Sequence, residues 1–133
     1  MRCPACELKK LKPAHIDKIG ADVCFCKNCN GMWLSPDQIR AAMGEELDNL
    51  SLDEARRSFD LKCLKCGKTL QAWKFPYTEL EVGICKKCRG IWVNGRDAKN
   101  FVRAVGEIQE YGVPDQYKRR EGFFKRVVGR VFG

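Results

Sequence analysis

The sequence predicts a small α+β fold made of two similar halves, and three observations lead to this prediction. Nine cysteines occur among 133 residues, and eight of them form four C-x-x-C pairs. The pairs recur at an offset of about 60 residues, together with the residues that follow them. In each half, a helix-start signal and apolar residues at helical spacing follow the second pair. A repeat of this length indicates two copies of one supersecondary unit.

The two halves match residue by residue around their cysteines. The first C-x-x-C pairs align at an offset of 60 and the second pairs at an offset of 59, so the first half has one extra residue. We expect the hairpin turn between the pairs to absorb this difference. The aligned segments are residues 3–6 with 63–66, 26–29 with 85–88, and 30–34 with 89–93.

The spacing of the cysteines is typical of a four-cysteine metal site. In the two halves, 19 and 18 residues separate the C-x-x-C pairs, which suits a tetrahedral zinc site. Each pair forms a tight turn with both sulfurs on one side, and two facing turns complete the tetrahedron. We therefore predict two Zn²⁺ ions, with iron as the less favoured alternative because thiolate tetrahedra suit it too. The predicted ligands are Cys3, Cys6, Cys26, Cys29, Cys63, Cys66, Cys85 and Cys88.

Four residues near these cysteines have competing interpretations. Cys24 is an alternative ligand or a redox-sensing thiol, but a small half-buried residue is the favoured interpretation. Cys85 and Cys88 match Cys26 and Cys29 as the ligand pair, the G-x-W segment fixes the register, and the counterpart of Cys24 is Gly83. His15 is expected to be a solvated loop residue, since four cysteines already complete the site. Trp33 and Trp92 are expected to pack over the hairpins and shield the metal, rather than form exposed binding platforms.

Short strands are predicted between the cysteine pairs, and a helix after them. In the second half, strands at 69–74 and 80–85 flank a turn at 75–78. In the first half, a turn at 20–22 precedes a strand at 23–26. Ser35 and Gln38 form a capping box that begins the first helix.

In the second half, Asn94 is the predicted helix cap, and apolar residues from Phe101 to Ile108 follow at helical spacing. Another capping box at 51–54 predicts a helical stretch toward Phe59 that bridges the halves. The expected organisation is a first zinc ribbon with its helix (1–48), a helical linker (49–62), a second ribbon with its helix (63–112) and a tail (113–133).

Positive charge is concentrated in the second half and the tail. The net charge of +8 divides into −1 for residues 1–60, +5 for 61–113 and +4 for 114–133. Apolar and basic residues alternate at helical spacing in the tail, which is typical of a basic amphipathic segment. The tail can pack on the protein, dock on a partner protein or lie on an anionic membrane. Predicted partner-binding residues are Lys86, Lys87, Arg89, Lys118, Arg119, Arg120, Lys125, Arg126 and Arg130.

Both halves resemble the prokaryotic zinc ribbons of the transcription-factor-IIB type, the "transcription factor zinc-finger" domains. The resemblance covers about residues 3–45 and 63–105, and it implies bound zinc, a ribbon fold and no catalysis. Ser35 stands where aspartate is usual, and Cys24 and the tail lie outside the pattern. Besides the eight cysteines, the matching residues are Gly31, Trp33, Gly90 and Trp92.

No nucleophile–base pair is recognisable, and a site with four protein ligands lacks the open position that catalytic zinc needs. We therefore predict a non-enzymatic zinc-binding adaptor that contacts a protein partner, nucleic acid or the transcription machinery through the second ribbon and tail. The alternatives are a rubredoxin-like electron-transfer protein and a membrane-associated regulator acting through the tail. A cytoplasmic location is expected, because no signal-peptide-like segment follows Met1 and unpaired cysteines suit a reducing compartment. The oligomeric state is left open.

Overall fold

The computed structural model describes residues 2–7, 9–44 and 52–116. These residues form an antiparallel sheet with two helices, so the predicted α+β class is confirmed. None of the helices described is long and apolar enough to cross a bilayer. The elements are β1 (Lys12–Ile16), β2 (Ala21–Phe25), β3 (Met32–Leu34), α1 (Pro36–Met43), β4 (Ser58–Lys62), β5 (Thr69–Lys74), β6 (Glu81–Ile84), β7 (Ile91–Val93) and α2 (Gly95–Tyr111).

The two halves share one continuous sheet, with strand order β1-β2-β3-β7-β6-β5-β4. The halves meet where β3 pairs antiparallel with β7, and Trp33 lies opposite Trp92. On either side, Met32 pairs with Val93 and Leu34 with Ile91. At the repeat offset of 59, Met32 corresponds to Ile91 and Leu34 to Val93, so each of these two pairs is the equivalent of the other. A local pseudo-twofold axis therefore passes between the tryptophans and relates the halves.

The two faces of the sheet carry different cores. One face packs against both helices, and the other holds the cysteines together with Trp33 and Trp92. Successive side chains of a strand point to opposite faces. Each tryptophan therefore belongs to the core on the cysteine side, and its two neighbours on the strand belong to the core on the helix side. The helix-side core includes Val23, Met32, Leu34, Ile39, Ala42, Val82, Ile84, Ile91, Val93, Phe101 and Val105.

Both predicted helix starts are confirmed, although they are capped differently. The Ser35 hydroxyl accepts from the backbone N–H of Gln38 at 3.3 Å, and the Gln38 side-chain oxygen accepts from the Ser35 N–H at 2.9 Å. This is the predicted capping box. Asn94 is the N-cap of α2, but its side chain makes no capping hydrogen bond.

The predicted helix between the halves is wrong over its described part. Residues 52–57 form turns and irregular structure, and Ser58–Lys62 is strand β4 at the edge of the sheet. Phe59 and Leu61 are half-buried and alternate with exposed residues, which is the period of a strand. Pairing with β5 therefore outweighs the local capping signal. Residues 45–51 lie outside the described part of the chain.

The predicted strand at 69–74 is confirmed as β5, whereas the turn of the first half was placed too late. Residues 17–20 form that turn, and β2 already begins at Ala21. The hairpin also does not absorb the extra residue of the first half. Ala14 pairs with Val23 in the first hairpin, and Trp73 pairs with Val82 in the second, so both positions keep the offset of 59.

The extra residue instead follows the first cysteine pair. The backbone N–H of Cys3 donates to the carbonyl of Lys9, whereas that of Cys63 donates to the carbonyl of Lys68. The two cysteines are 60 residues apart, whereas the two lysines are 59 apart, so the extra residue lies between Cys3 and Lys9. A short loop beside the candidate metal site accommodates the insertion, and the hairpins keep equal length.

Each tryptophan lies against a glycine of the other half. A Cβ added to Gly31 would overlap the Trp92 ring, and a Cβ added to Gly90 would overlap the Trp33 ring. Neither glycine has a positive φ. These positions therefore require glycine because of the close approach of an indole ring, and the two contacts interlock the halves.

A Gly31→Ala substitution is expected to destabilise the protein by about 1–3 kcal/mol, because the added methyl group must displace a buried indole. Gly106→Ala is the matched control, since its Cβ would lie 3.5 Å from the nearest atoms, at ordinary contact distance. This control should be neutral or stabilising by up to about 1 kcal/mol, because alanine favours helix. Thermal unfolding with excess metal measures both effects. Equal unfolding midpoints for the two variants would contradict the proposed interlock.

Candidate metal centres

The four cysteines of the first half come together as their spacing predicts. The sulfur atoms of Cys3, Cys6, Cys26 and Cys29 all lie within 4.8 Å of one another. The Cys3–Cys29 distance is 3.5 Å and the Cys6–Cys26 distance is 3.6 Å. A disulfide bond is about 2.05 Å long, so these are separate thiols. Sulfurs at the corners of a tetrahedron with Zn–S of about 2.3 Å lie about 3.8 Å apart, which fits the observed spacing.

The second half repeats this arrangement with Cys63, Cys66, Cys85 and Cys88. The Cys66–Cys85 sulfur distance is 3.5 Å. In both groups the first cysteine of each pair is buried and the second is half-buried. The structure thus contains two four-cysteine groups that can each hold a metal ion.

Backbone N–H groups of the C-x-x-C turns point at the sulfurs. The amide of Cys6 donates to Cys3 at 3.5 Å, and the amide of Cys88 donates to Cys85 at 3.3 Å. In the second half, the amide of Lys65 also donates to Cys63 at 3.4 Å. Such bonds spread the negative charge that each thiolate carries when it binds a metal.

The residue that follows each C-x-x-C pair has a left-handed backbone. The φ angles are 56° at Glu7, 65° at Asn30, 74° at Gly67 and 62° at Arg89. This conformation closes each turn with an N–H that returns to the carbonyl of the first cysteine, as Asn30 does to Cys26 at 2.8 Å. Only Gly67 adopts the conformation without steric cost.

Burial and local hydrogen bonds change the acidity of the thiols. Burial raises the pKa of Cys3 to about 12, and it also raises the pKa of Cys63. The backbone N–H of Lys68 lowers the pKa of Cys66 to about 7. The raised pKa values favour the protonated form of the Cys3 and Cys63 thiols, and a metal ion that binds them must displace these protons. Metal binding at either group is consequently coupled to proton release.

The predicted partner-binding residues are only partly brought together. Lys86 and Lys87 are exposed beside the second cysteine group and line a shallow pocket with Lys68. Arg89 is half-buried and lines a different pocket, against α1. The remaining predicted residues, Lys118, Arg119, Arg120, Lys125, Arg126 and Arg130, lie outside the described part of the chain.

Cys24 and His15 remain apart from the metal groups. Among the described residues, Cys24 belongs to neither four-cysteine group; it is half-buried on β2 opposite Trp33, as the favoured interpretation expects. His15 was expected in a loop but lies on β1, where its Nδ1 is 2.7 Å from a carboxylate oxygen of Asp22. This cross-strand pair of exposed side chains explains the histidine without a metal.

The packing predicted for Trp33 and Trp92 is confirmed, since their exposed fractions are 1% and 0%. Both rings pack among the cysteines. What sequence reasoning missed is that each ring covers the second C-x-x-C turn of the opposite half, at Gly90 and Gly31. The identical G-x-W spacing in both halves was the available signal, because a twofold arrangement gives each glycine the same contact with the tryptophan of the opposite half.

One asymmetry remains at the indole nitrogens. Trp92 Nε1 donates to the Asn94 side-chain oxygen at 3.0 Å. Trp33 Nε1 is buried and has no hydrogen-bond partner among the described residues. The equivalent of Asn94 is Ser35, whose hydroxyl caps α1 instead. In the second half, the residue before the helix thus accepts the tryptophan N–H, whereas in the first half the equivalent residue caps the helix.

Ser35→Asn is expected to exchange one hydrogen bond for another, because an amide oxygen at this position would accept from Trp33 Nε1 while the hydroxyl cap of α1 is lost. The free energy of unfolding should therefore change by less than about 1 kcal/mol, and the Trp33 indole N–H should become more protected from exchange. The reverse change, Asn94→Ser, should leave the Trp92 indole N–H less protected because it removes its partner. Thermal unfolding and hydrogen exchange of the two indole N–H groups measure these effects. Unchanged exchange at Trp33 in the Ser35→Asn protein would contradict the geometry.

Comparisons with protein-family models, curated proteins and solved structures found no match to this chain. The functional interpretation therefore depends on the two cysteine groups and on the surfaces they organise. These groups are the strongest candidate site because eight of the nine cysteines are placed in two equivalent sets of four.

Proposed function

We propose that this chain is a non-enzymatic zinc protein, in which two structural Zn²⁺ ions hold a single sheet that serves as an interaction module. One observation carries the proposal: two groups of four thiols lie on the same face of the shared sheet, beneath interlocked tryptophans. Four protein ligands complete the coordination of zinc and leave no position for a substrate or a reactive water. The metals would therefore stabilise the fold rather than perform chemistry.

The order of elements in each half supports the proposed relation to transcription-factor-IIB-type zinc ribbons. Each half has a hairpin, a short third strand after the second cysteine pair and a capped helix. In this interpretation, each half is a ribbon, and the two ribbons are joined through β3 and β7. Zinc in such small units supplies a large part of the folding free energy, on the order of 10 kcal/mol per site.

Metal analysis of the purified protein tests this proposal. Native mass spectrometry is expected to find two zinc ions per chain, and Cys6→Ser and Cys66→Ser should each lower metal retention at one site. The matched control is Cys24→Ser, which should retain two ions because Cys24 lies outside both groups. A red protein with visible absorbance would favour the rubredoxin-like alternative, and a chain without bound metal would overturn the proposal.

A contact with nucleic acid is a second candidate, favoured by the lysines beside the second metal group. Lys65, Lys68, Lys86 and Lys87 are all exposed, and three of them line one pocket of about 500 Å³. Among the described residues, none of the four forms an ion pair with a carboxylate. Such a cluster suits phosphate groups. The competing role is to balance the net charge of −2 on a four-thiolate zinc centre.

Charge reversal separates these two roles. Lys86→Glu with Lys87→Glu is expected to weaken binding of a short oligonucleotide at least tenfold at low salt, because phosphate contacts are lost. Lys27→Glu is the control, since Lys27 is the first-half equivalent of Lys86. Fluorescence anisotropy measures the affinities, with single-stranded and duplex probes tested separately. Absence of binding by the unmodified protein at low salt would remove nucleic acid as a partner and leave charge balance.

A further inference from the structure

An apolar groove lies between one flank of α2 and the three strands of the first half, and it is called the groove of the first half, or first groove, after these strands. Its volume is about 500 Å³, and its lining includes Ala14, Phe25, Met32, Ala98 and Val102. All of these except Met32 are half-buried. Lys18 and Lys99 also line the groove, and both are exposed. The site is therefore an apolar depression with a basic rim.

The repeat places an equivalent groove, the second groove, between α1 and the strands of the second half, with a volume of about 250 Å³. Its lining residues are larger where the first half has alanine. The basic rim position is kept, because the equivalent of Lys99 is also a cation. The equivalent pairs are Ala14 and Trp73, Phe25 and Ile84, Met32 and Ile91, Ala98 and Ile39, and Lys99 and Arg40.

The chain itself closes the second groove. Leu52, from the segment that joins the halves, lines this groove and is only 7% exposed. Ile39 and Ile84 are correspondingly buried, whereas their equivalents Ala98 and Phe25 are half-buried. Two exposed acidic residues, at positions 53 and 54, follow Leu52 directly. The second half thus shows how the groove is filled: by a leucine that two exposed acidic residues follow, on a stretch that is not helical over its described residues 52–57.

We propose that the groove of the first half binds a short acidic segment of a partner protein, which inserts a leucine-type side chain as Leu52 does in the second groove. Three observations support this occupant: the apolar lining, the two rim lysines and the intramolecular precedent. The inference rests on the proposed role as an interaction module and names the chemistry of the partner. No described residue occupies a position in the first groove equivalent to Leu52.

Other occupants fit the groove less well. The tail has a net charge of +4, so it would be repelled by Lys18 and Lys99. A second copy of the chain could offer Leu52 only by withdrawing it from its own groove. An acidic segment of another protein has neither disadvantage.

A synthetic peptide of this chain's residues 45–55, with blocked ends, is a suitable probe, because it contains Leu52 among five acidic residues. It is titrated into full-length, zinc-loaded, ¹⁵N-labelled protein. We expect saturable shifts of the amide signals of Met32, Ala98 and Val102, with a dissociation constant on the order of 100 μM for so small a contact. The same peptide with Leu52→Asp should bind at least tenfold more weakly, because the buried apolar side chain is lost.

Two pairs of protein variants localise the binding. Ala98→Ile fills the groove with the residue present at position 39 and should weaken binding at least tenfold. Its control is Ala104→Ile, on the opposite flank of α2, which should leave the affinity within about twofold. Lys99→Glu should also weaken binding, whereas Arg103→Glu is its control. If Ala98→Ile lowers the thermal midpoint or the zinc content, the Lys99 pair decides the question.

Four outcomes would overturn the inference. These are no shifts at millimolar peptide, shifts confined to Ile39 and Ile84, binding only after deletion of residues 117–133, and a dimer that Ala98→Ile dissociates. The third outcome identifies the tail as the occupant, and the fourth identifies a second copy. Failure of binding by a protein that holds two zinc ions contradicts this inference alone, whereas a protein without metal contradicts the proposed function.

Discussion

The pairing of β3 with β7 is the contact on which the rest of the structure depends. Each strand contributes only three residues, and all six are buried. A unit of about 45 residues has little interior of its own and usually needs a metal or a partner surface to fold. Joining the halves in one sheet creates a helix-side core that draws on both. The pseudo-twofold axis then follows from the antiparallel pairing of two copies of the same strand.

The candidate metal centres and this pairing constrain each other. The G-x-W segment begins two residues after the last cysteine of the second C-x-x-C pair. The turn that holds two sulfurs therefore also positions the tryptophan. Gly31 and Gly90 receive the indole of the opposite half, and a Cβ at Gly95, the first residue of α2, would overlap the carbonyl of Cys29. Each metal site of one half is thus in contact with the other half. Loss of one metal is therefore expected to disturb both halves, although the cysteines of each site come from one half only.

The features that could be predicted from sequence are those with a local signal. The cysteine spacing identified both groups of four, and the Ser35 capping box and the β5 pattern identified a helix start and a strand. The pairing of β3 with β7 has no local signal, because it joins segments far apart in the chain. The capping-box pattern at 51–54 predicts a helix, but residues 52–57 form turns, and Phe59 and Leu61 are half-buried on β4, which pairs with β5. Sequence alignment shows only that the extra residue lies between the two cysteine pairs of the first half. It does not show where in that interval, and the prediction placed the residue in the hairpin turn.

The two copies differ where the described residues cover one half and leave the other open. In the second half, Phe59 of β4 lies over Gly83, where an added Cβ would come within 2.7 Å of its ring. The first half has Cys24 at the equivalent position, and the described residues provide no counterpart of Phe59. On the opposite face, Leu52 closes the second groove, whereas alanines leave the first groove open. Both covering residues come from residues 52–62, the segment between the halves. Within the described part of the chain, this single connection covers only the second half, so the two similar units are not equivalent. The asymmetry among the described residues thus follows from the tandem arrangement, and the groove that they leave open is the surface to which we assign a partner.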